Sequence, residues 1–218
     1  MLHHAIATAV IDVARRLHQQ GMLAACDGNI SVRVGDDRLL VTPAGRSKAL
    51  LTPEELVEVD LTGRVVGGHG RASTELPLHL AVYAAAPAAR AVVHAHPPHA
   101  IAWTLVHPFD VALPTEALPE VVLATGGIPI APYAPPGTTA LGDAAKTHAA
   151  RSRVVILARH GALAWGEDLG EAEAGIERLE HAARILHLAR QLGPLVPLDA
   201  AELARLHAKR AGAGPRVL

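Results

Sequence analysis

Ala91-Val92-Val93-His94-Ala95-His96-Pro97-Pro98 joins a short apolar run to two histidines and then to a pair of prolines. A run of this length bounded by proline reads as a buried strand that stops where the histidines begin. Residues two apart on a strand project from the same face, so His94 and His96 can address one metal ion together. With 14 histidines in the chain a chance His-x-His is unsurprising. Position therefore carries the weight, because α/β proteins build their sites at strand ends.

Val154-Val155-Ile156-Leu157 repeats the pattern and runs into Arg159-His160-Gly161, so a third imidazole can converge on the first two from a neighbouring strand. Three neutral imidazoles suit zinc, cobalt, manganese or iron. A fourth, anionic ligand is available in Glu75 at the start of a helix, where the dipole favours negative charge. Ser73 and Thr74 stand directly before it. Hydroxyls and free backbone N–H groups at a helix N-terminus make an anion site, a use compatible with capping. Gly28-Asn29 and Ala44-Gly45 are further loop elements, glycine letting the backbone approach a ligand and asparagine offering an amide donor. Taken singly, each reads as a turn, a cap or a core histidine; the combination points to a metal site beside an anion site.

Outward from these blocks, Ile6, Val10, Val13, Ala14 and Leu17 recur at helical spacing up to Gly21. Residues 30–34 and 39–41 form a hairpin about Gly35-Asp36-Asp37, and 57–61 and 64–66 another about Thr62-Gly63. Thr52-Pro53-Glu54-Glu55 carries a capping box. Helices are predicted over 75–86, 100–105, 138–150, 168–192 and 199–211, the last capped by Asp199. Val121 to Leu123 and Ile128 to Ala131 read as strands, and 107–119 as a proline-rich loop. Helices interrupting hairpin-connected strands predict an α/β (α+β) fold, a three-layer sandwich whose mainly antiparallel central sheet is covered by helices on both faces. One domain over 1–218 is expected, with residues 211–218 fraying.

Aromatic residues make up only 2% of the chain, so the core must be built from Ala, Val, Leu and Ile. A net charge of −1 without a run of five like charges excludes the electrostatic footprint of a nucleic-acid or anionic-membrane binder. Cys26 is the only cysteine, so no intrachain disulfide forms and a reducing, cytoplasmic location is expected. The N-terminal stretch lacks the uninterrupted apolar segment of a signal peptide, and no segment has the apolar length of a membrane span.

In order and spacing, Asp27-Gly28-Asn29-Ile30-Ser31, Thr42-Pro43-Ala44-Gly45, Ser73-Thr74-Glu75, His94-Ala95-His96-Pro97 and Arg159-His160-Gly161 resemble the blocks of the class II aldolase and adducin-head family. With Pro132-Tyr133 and Gly137-Thr138 the resemblance covers the chain from its first helix to the long C-terminal helix. Within the family it is to the L-fuculose-1-phosphate aldolase type. The resemblance implies a zinc-dependent aldehyde-lyase that forms a cyclic homotetramer with active sites between subunits. Its substrate would be a phosphorylated sugar, L-fuculose 1-phosphate or a related deoxyketose phosphate, cleaved to dihydroxyacetone phosphate and a short aldehyde.

By position the resemblance makes His94, His96 and His160 the Zn2+ ligands. Glu75 becomes the residue that alternates between ligand and general acid/base. Asn29, Gly45, Ser73 and Thr74 fall on phosphate-binding positions in a loop shaped by Gly28. Two departures stand out. Glu120 occupies the place of a proton-donating tyrosine, which makes it a second catalytic candidate, and no tyrosine follows in the C-terminal tail. The glutamate also resembles a feature of methylthioribulose-1-phosphate dehydratases, an alternative on the same scaffold. A pentulose-phosphate 4-epimerase would carry Asp at position 75, and an adducin-like interaction module would lack the metal ligands.

Overall fold

In a computed structural model, which describes residues 3–107, 112–214 and 216–217, eight strands form one sheet in the order β4-β3-β2-β1-β5-β8-β7-β6. They span Asn29–Arg33 (β1), Arg38–Val41 (β2), Val57–Asp60 (β3), Val65–Gly67 (β4), Ala91–Ala95 (β5), Ile130–Ala131 (β6), Val154–Leu157 (β7) and Gly161–Gly166 (β8). Every neighbouring pair is antiparallel except β6 and β7. Helices α1 (His4–Gln19), α2 (Leu76–Ala85), α3 (Pro98–Val106), α4 (Pro119–Thr125), α5 (Thr139–Ala149), α6 (Leu169–Leu192) and α7 (Ala200–Ala213) are threaded between them.

The side-chain period of two along a strand divides the core. Ala91, Val93 and Ala95 join a cluster with α1, α3 and α6 through Leu17, Ala100 and Ile176, while Val92 joins another with α2 and α5 through Val82 and Leu141. Val154 and Ile156 face the first cluster, Val155 and Leu157 the second. A strand buried on both faces leaves only its end free to carry polar chemistry, and the histidines stand at that end.

Most of the predicted elements are present. Asp168 and Asp199 cap α6 and α7, each accepting a backbone N–H three residues on at 2.8 Å, and the Glu55 carboxylate accepts the Thr52 N–H at 2.9 Å. Val121 to Leu123 corrects the expectation of a strand: the segment is helical within α4, started by Pro119 at its first position. Residues 115–117 of the expected loop form a 3-10 turn, and 108–111 of it lie outside the described residues. Helix α7 runs to Ala213, Val217 is buried, and Arg216 pairs with Asp168 and Glu171. No helix among the described residues is long and apolar enough to cross a membrane.

Candidate metal centre and anion pocket

Three segments meet at one end of the sheet. Strand β1 starts there with Asn29 opposite His94, β5 ends there, and the tight turn from β7 into β8 places His160 and Gly161 beside them. The turn needs Arg159 in the left-handed region at φ 61°, an uncommon conformation for a residue with a side chain, held by a 2.9 Å bond from its N–H to the Thr104 hydroxyl. His160 thus reaches the pair from the far side of β8, which separates β7 from β5.

Nε2 of His94 lies 3.1 Å from Nε2 of His160 and 3.2 Å from Nε2 of His96. The Glu75 carboxylate completes the group, with Oε2 3.2 Å from His94 and Oε1 3.0 Å from His160. His94 donates from Nδ1 to the Ala162 carbonyl at 2.9 Å, which leaves its Nε2 as a bare lone pair facing the other three side chains. One lone pair cannot satisfy three close polar neighbours, whereas a cation between them can. Tetrahedral ligands at a zinc–nitrogen distance of ~2.05 Å would stand about 3.3 Å apart, and the observed separations lie within a few tenths of that. The donor set fits a divalent transition metal, and these four residues are the one such group among the described residues.

The glutamate is held by a buried chain of hydrogen bonds. Asn29 donates its amide to Glu75 Oε2 at 2.8 Å and turns its Oδ1 to His79 Nε2 at 2.5 Å. A carboxylate only accepts, so the donor direction along the chain is fixed. His79 must carry its hydrogen on Nε2 and accept at Nδ1 from the Ser31 hydroxyl, 2.6 Å away, and Tyr83 donates to the Ser31 carbonyl at 3.1 Å. Burial opposes ionisation of Glu75, but its polar partners, the His160 ring first and the Asn29 amide among them, outweigh it and hold the carboxyl far below its usual range. Burial pushes His79 down to about 3, which keeps it neutral. Sequence reading passed over His79, although its place one helical turn after Glu75 marks a shared helix face.

A cavity of about 700 Å³ opens over this group, lined by Gly28, Asn29, Gly45, Ser73, Thr74, Glu75, His96 and His160. Every expected metal-binding or phosphate-binding residue is therefore brought together, His94 lying just beneath. Glu120 is not: it is exposed on α4 and does not line the cavity of its own chain. Lys48 and Arg159 line the cavity and were not singled out from sequence. The backbone N–H groups of Gly45 and Thr74 have no partner among the described residues and are free for an anion.

Gly161 shows how tightly the site is built. A Cβ there would come within 2.5 Å of the Ala95 carbonyl, 2.9 Å of the His96 ring and 3.0 Å of the His94 ring. Gly161→Ala is expected to push both imidazoles out of register and weaken metal binding at least as much as loss of an outer-shell partner does, about 10- to 100-fold. Chelator competition measures this, and an unchanged affinity would contradict the geometry.

The chain belongs to the class II aldolase and adducin N-terminal domain family, whose model matches residues 8–187. It is 32% identical to 3-oxo-tetronate 4-phosphate decarboxylase of Haemophilus influenzae over 180 residues, 81% of this chain and 84% of that one. It is also 32% identical to L-fuculose phosphate aldolase of the same organism, over 77% of this chain and 75% of that one. The crystal structure of YgbL from Escherichia coli, described only as far as aldolase, epimerase or decarboxylase, superposes with a TM-score of 0.87 at 30% identity. It covers 95% of this chain and 100% of that one.

Proposed function

We propose that the protein is a metal-dependent lyase that decarboxylates a short 3-oxo acid bearing a terminal phosphate, with Zn2+ held by Glu75, His94, His96 and His160. The supporting observation is that the cavity offers one buried carboxylate set against the imidazole cluster, Glu75, and no tyrosine; the other carboxylate in the lining, Asp27, is half-exposed and pairs at 3.4 Å with His96 Nδ1 rather than with the nitrogen that faces the cluster. Tyr83 is buried behind Ser31, and Tyr133 is exposed away from the lining. Cleaving a carbon–carbon bond by retro-aldol chemistry requires a base to take a hydroxyl proton and an acid to protonate the enediolate. Loss of CO2 from a 3-oxo acid requires only the second step.

For 3-oxo-tetronate 4-phosphate the C1–C2 bond breaks, its electron pair enters the C2–C3 enediolate, and one proton at C2 completes dihydroxyacetone phosphate. A divalent cation in the His cluster would stabilise the negative charge that develops on the substrate oxygens. Glu75, ionised while it faces the cluster, takes up a proton from solvent once substrate displaces it there and passes that proton to C2. Asn29 keeps the carboxylate aimed, while Gly45, Ser73 and Thr74 receive the phosphate. Arg159, exposed beside His160 with no ion-pair partner among the described residues, suits the carboxylate that leaves.

Aldol cleavage of L-fuculose 1-phosphate or a related deoxyketose phosphate is the second reading, favoured by the fuculose phosphate aldolase likeness. It passes through the same enediolate and calls for another acid/base group. Glu120 can supply one only from a neighbouring copy in a homotetramer, a state that sedimentation would reveal. The deciding experiment gives the zinc-loaded protein 3-oxo-tetronate 4-phosphate and, separately, L-fuculose 1-phosphate, following CO2 and dihydroxyacetone phosphate. Equal release of both products from the oxo acid is expected, with Arg159→Gln lowering kcat/KM about ten-fold or more on that substrate. Dihydroxyacetone phosphate from the ketose phosphate alone would transfer the assignment to the aldolase.

A further inference from the structure

We propose that Lys48 is the cationic ligand of the substrate's phosphate, an inference that rests on the reading of the cavity as a site for a phosphorylated substrate. Lys48 is 2% exposed and lines the cavity beside Gly45. Its ammonium donates to the carbonyls of Cys26 and Arg46, both at 2.8 Å, and has no carboxylate ion-pair partner among the described residues. Asp27 and Glu75 attract it only from a distance. A buried charge with neutral partners alone is costly to hold, and an ammonium has three hydrogens, of which two are used.

The arrangement is therefore incomplete by one anion. Burial lowers the Lys48 pKa, and a phosphate dianion in the adjoining cavity would restore the charged form. Around the same space stand the free N–H groups of Gly45 and Thr74. Gly45 adopts φ +67°, the left-handed conformation that lets the loop bend over a ligand. Lys48 also ties the two walls together, because Cys26 lies in the loop before β1 and Arg46 in the loop after β2. A sugar carrying a phosphate monoester, rather than a neutral sugar, matches this charge.

The probe is inorganic phosphate on the zinc-loaded protein, with affinity measured by calorimetry. Lys48→Met is expected to weaken phosphate binding about 10- to 100-fold, the worth of a charged hydrogen bond, while zinc content stays unchanged; Lys48→Arg recovers part of the loss. Because the methionine variant also severs the link between loops, the wild-type protein supplies a second readout. The chain has three lysines, Lys48, Lys146 and Lys209, the last two exposed on helices. Saturating phosphate should shift the side-chain 15N resonance of Lys48 and leave the other two in place. A stationary Lys48 resonance, or a methionine variant that binds phosphate like wild type, would overturn the proposal. Both readouts concern binding, so they fail or succeed independently of which carbon–carbon bond the enzyme breaks.

Discussion

Glu75→Gln is expected to lower kcat by about 10³-fold, the usual contribution of a general acid or base, and to weaken metal binding by at least about ten-fold in the same protein. The two losses arise from one geometric constraint. Asn29 presents its amide N–H to Glu75 Oε2, and its own orientation is locked because Oδ1 accepts from His79. A glutamine at position 75 must offer its carbonyl oxygen to that N–H. Its NH2 group is then forced to the place of Oε1, which lies 3.0 Å from His160 Nε2. An amide nitrogen there is a donor without an available lone pair, so it neither coordinates a cation nor carries a transferable proton.

The remaining imidazoles should still bind metal, which would separate this variant from one that fails to fold. Turnover, zinc titration and circular dichroism on one preparation test the claim together. Turnover within ten-fold of wild type would show that Glu75 is neither the ligand nor the proton donor, and would remove the basis for the single-acid mechanism.

Each half of this centre was visible in the sequence for a different reason. Strand ends announce themselves when an apolar run stops at a polar motif, so Val93-His94 and Leu157 to His160 could be placed without coordinates. Glu75 was legible through the helix that follows it. Strand β8 was not: Gly161-Ala162-Leu163-Ala164-Trp165-Gly166 is rich in glycine and alanine, which have low strand propensity, and it is buried on both faces, so no alternation marks it. Val121-Val122-Leu123 failed in the opposite direction, its β-branched residues outweighed by Pro119 at the helix start and by packing of α4 against α7. Lys48 and His79 act through partners 22 and 50 residues away, Cys26 and Asn29, and no local pattern reports such a meeting. Glu120 was proposed from alignment of motifs alone, and the folded chain leaves it outside its own cavity.

The largest expected effect on stability lies away from the cavity, at Glu171. This carboxylate, its side chain 2% exposed, accepts from Arg153 Nη1 at 2.9 and 3.0 Å, from the Glu167 N–H at 2.8 Å, from the Val217 N–H at 2.8 Å and from Arg216 Nε at 3.2 Å. It therefore fastens the entry to β7, the end of β8, the first turn of α6 and the C-terminal tail to one another. Arg153 is buried as well, its guanidinium lying 4.5 Å from the centre of the Trp165 ring. Glu171→Ala leaves that charge with only the Glu167 carboxylate, which is 42% exposed and screened by water. Removing one partner of a buried pair costs about 3–5 kcal/mol. In a chain of this size each kcal/mol lowers Tm by about 2–4 °C, so a fall of roughly 10 °C is expected. Glu171→Gln, which keeps one acceptor for the backbone N–H groups, should lose less. Urea unfolding of both variants measures the difference, and a loss below about 1 kcal/mol for the alanine variant would mean that the pair is worth no more than a surface ion pair. Because Glu171 touches no residue of the metal cluster, zinc affinity at low temperature should be retained while the melting point drops. That combination would separate the bracing of the β7–β8 hairpin from the chemistry at its tip.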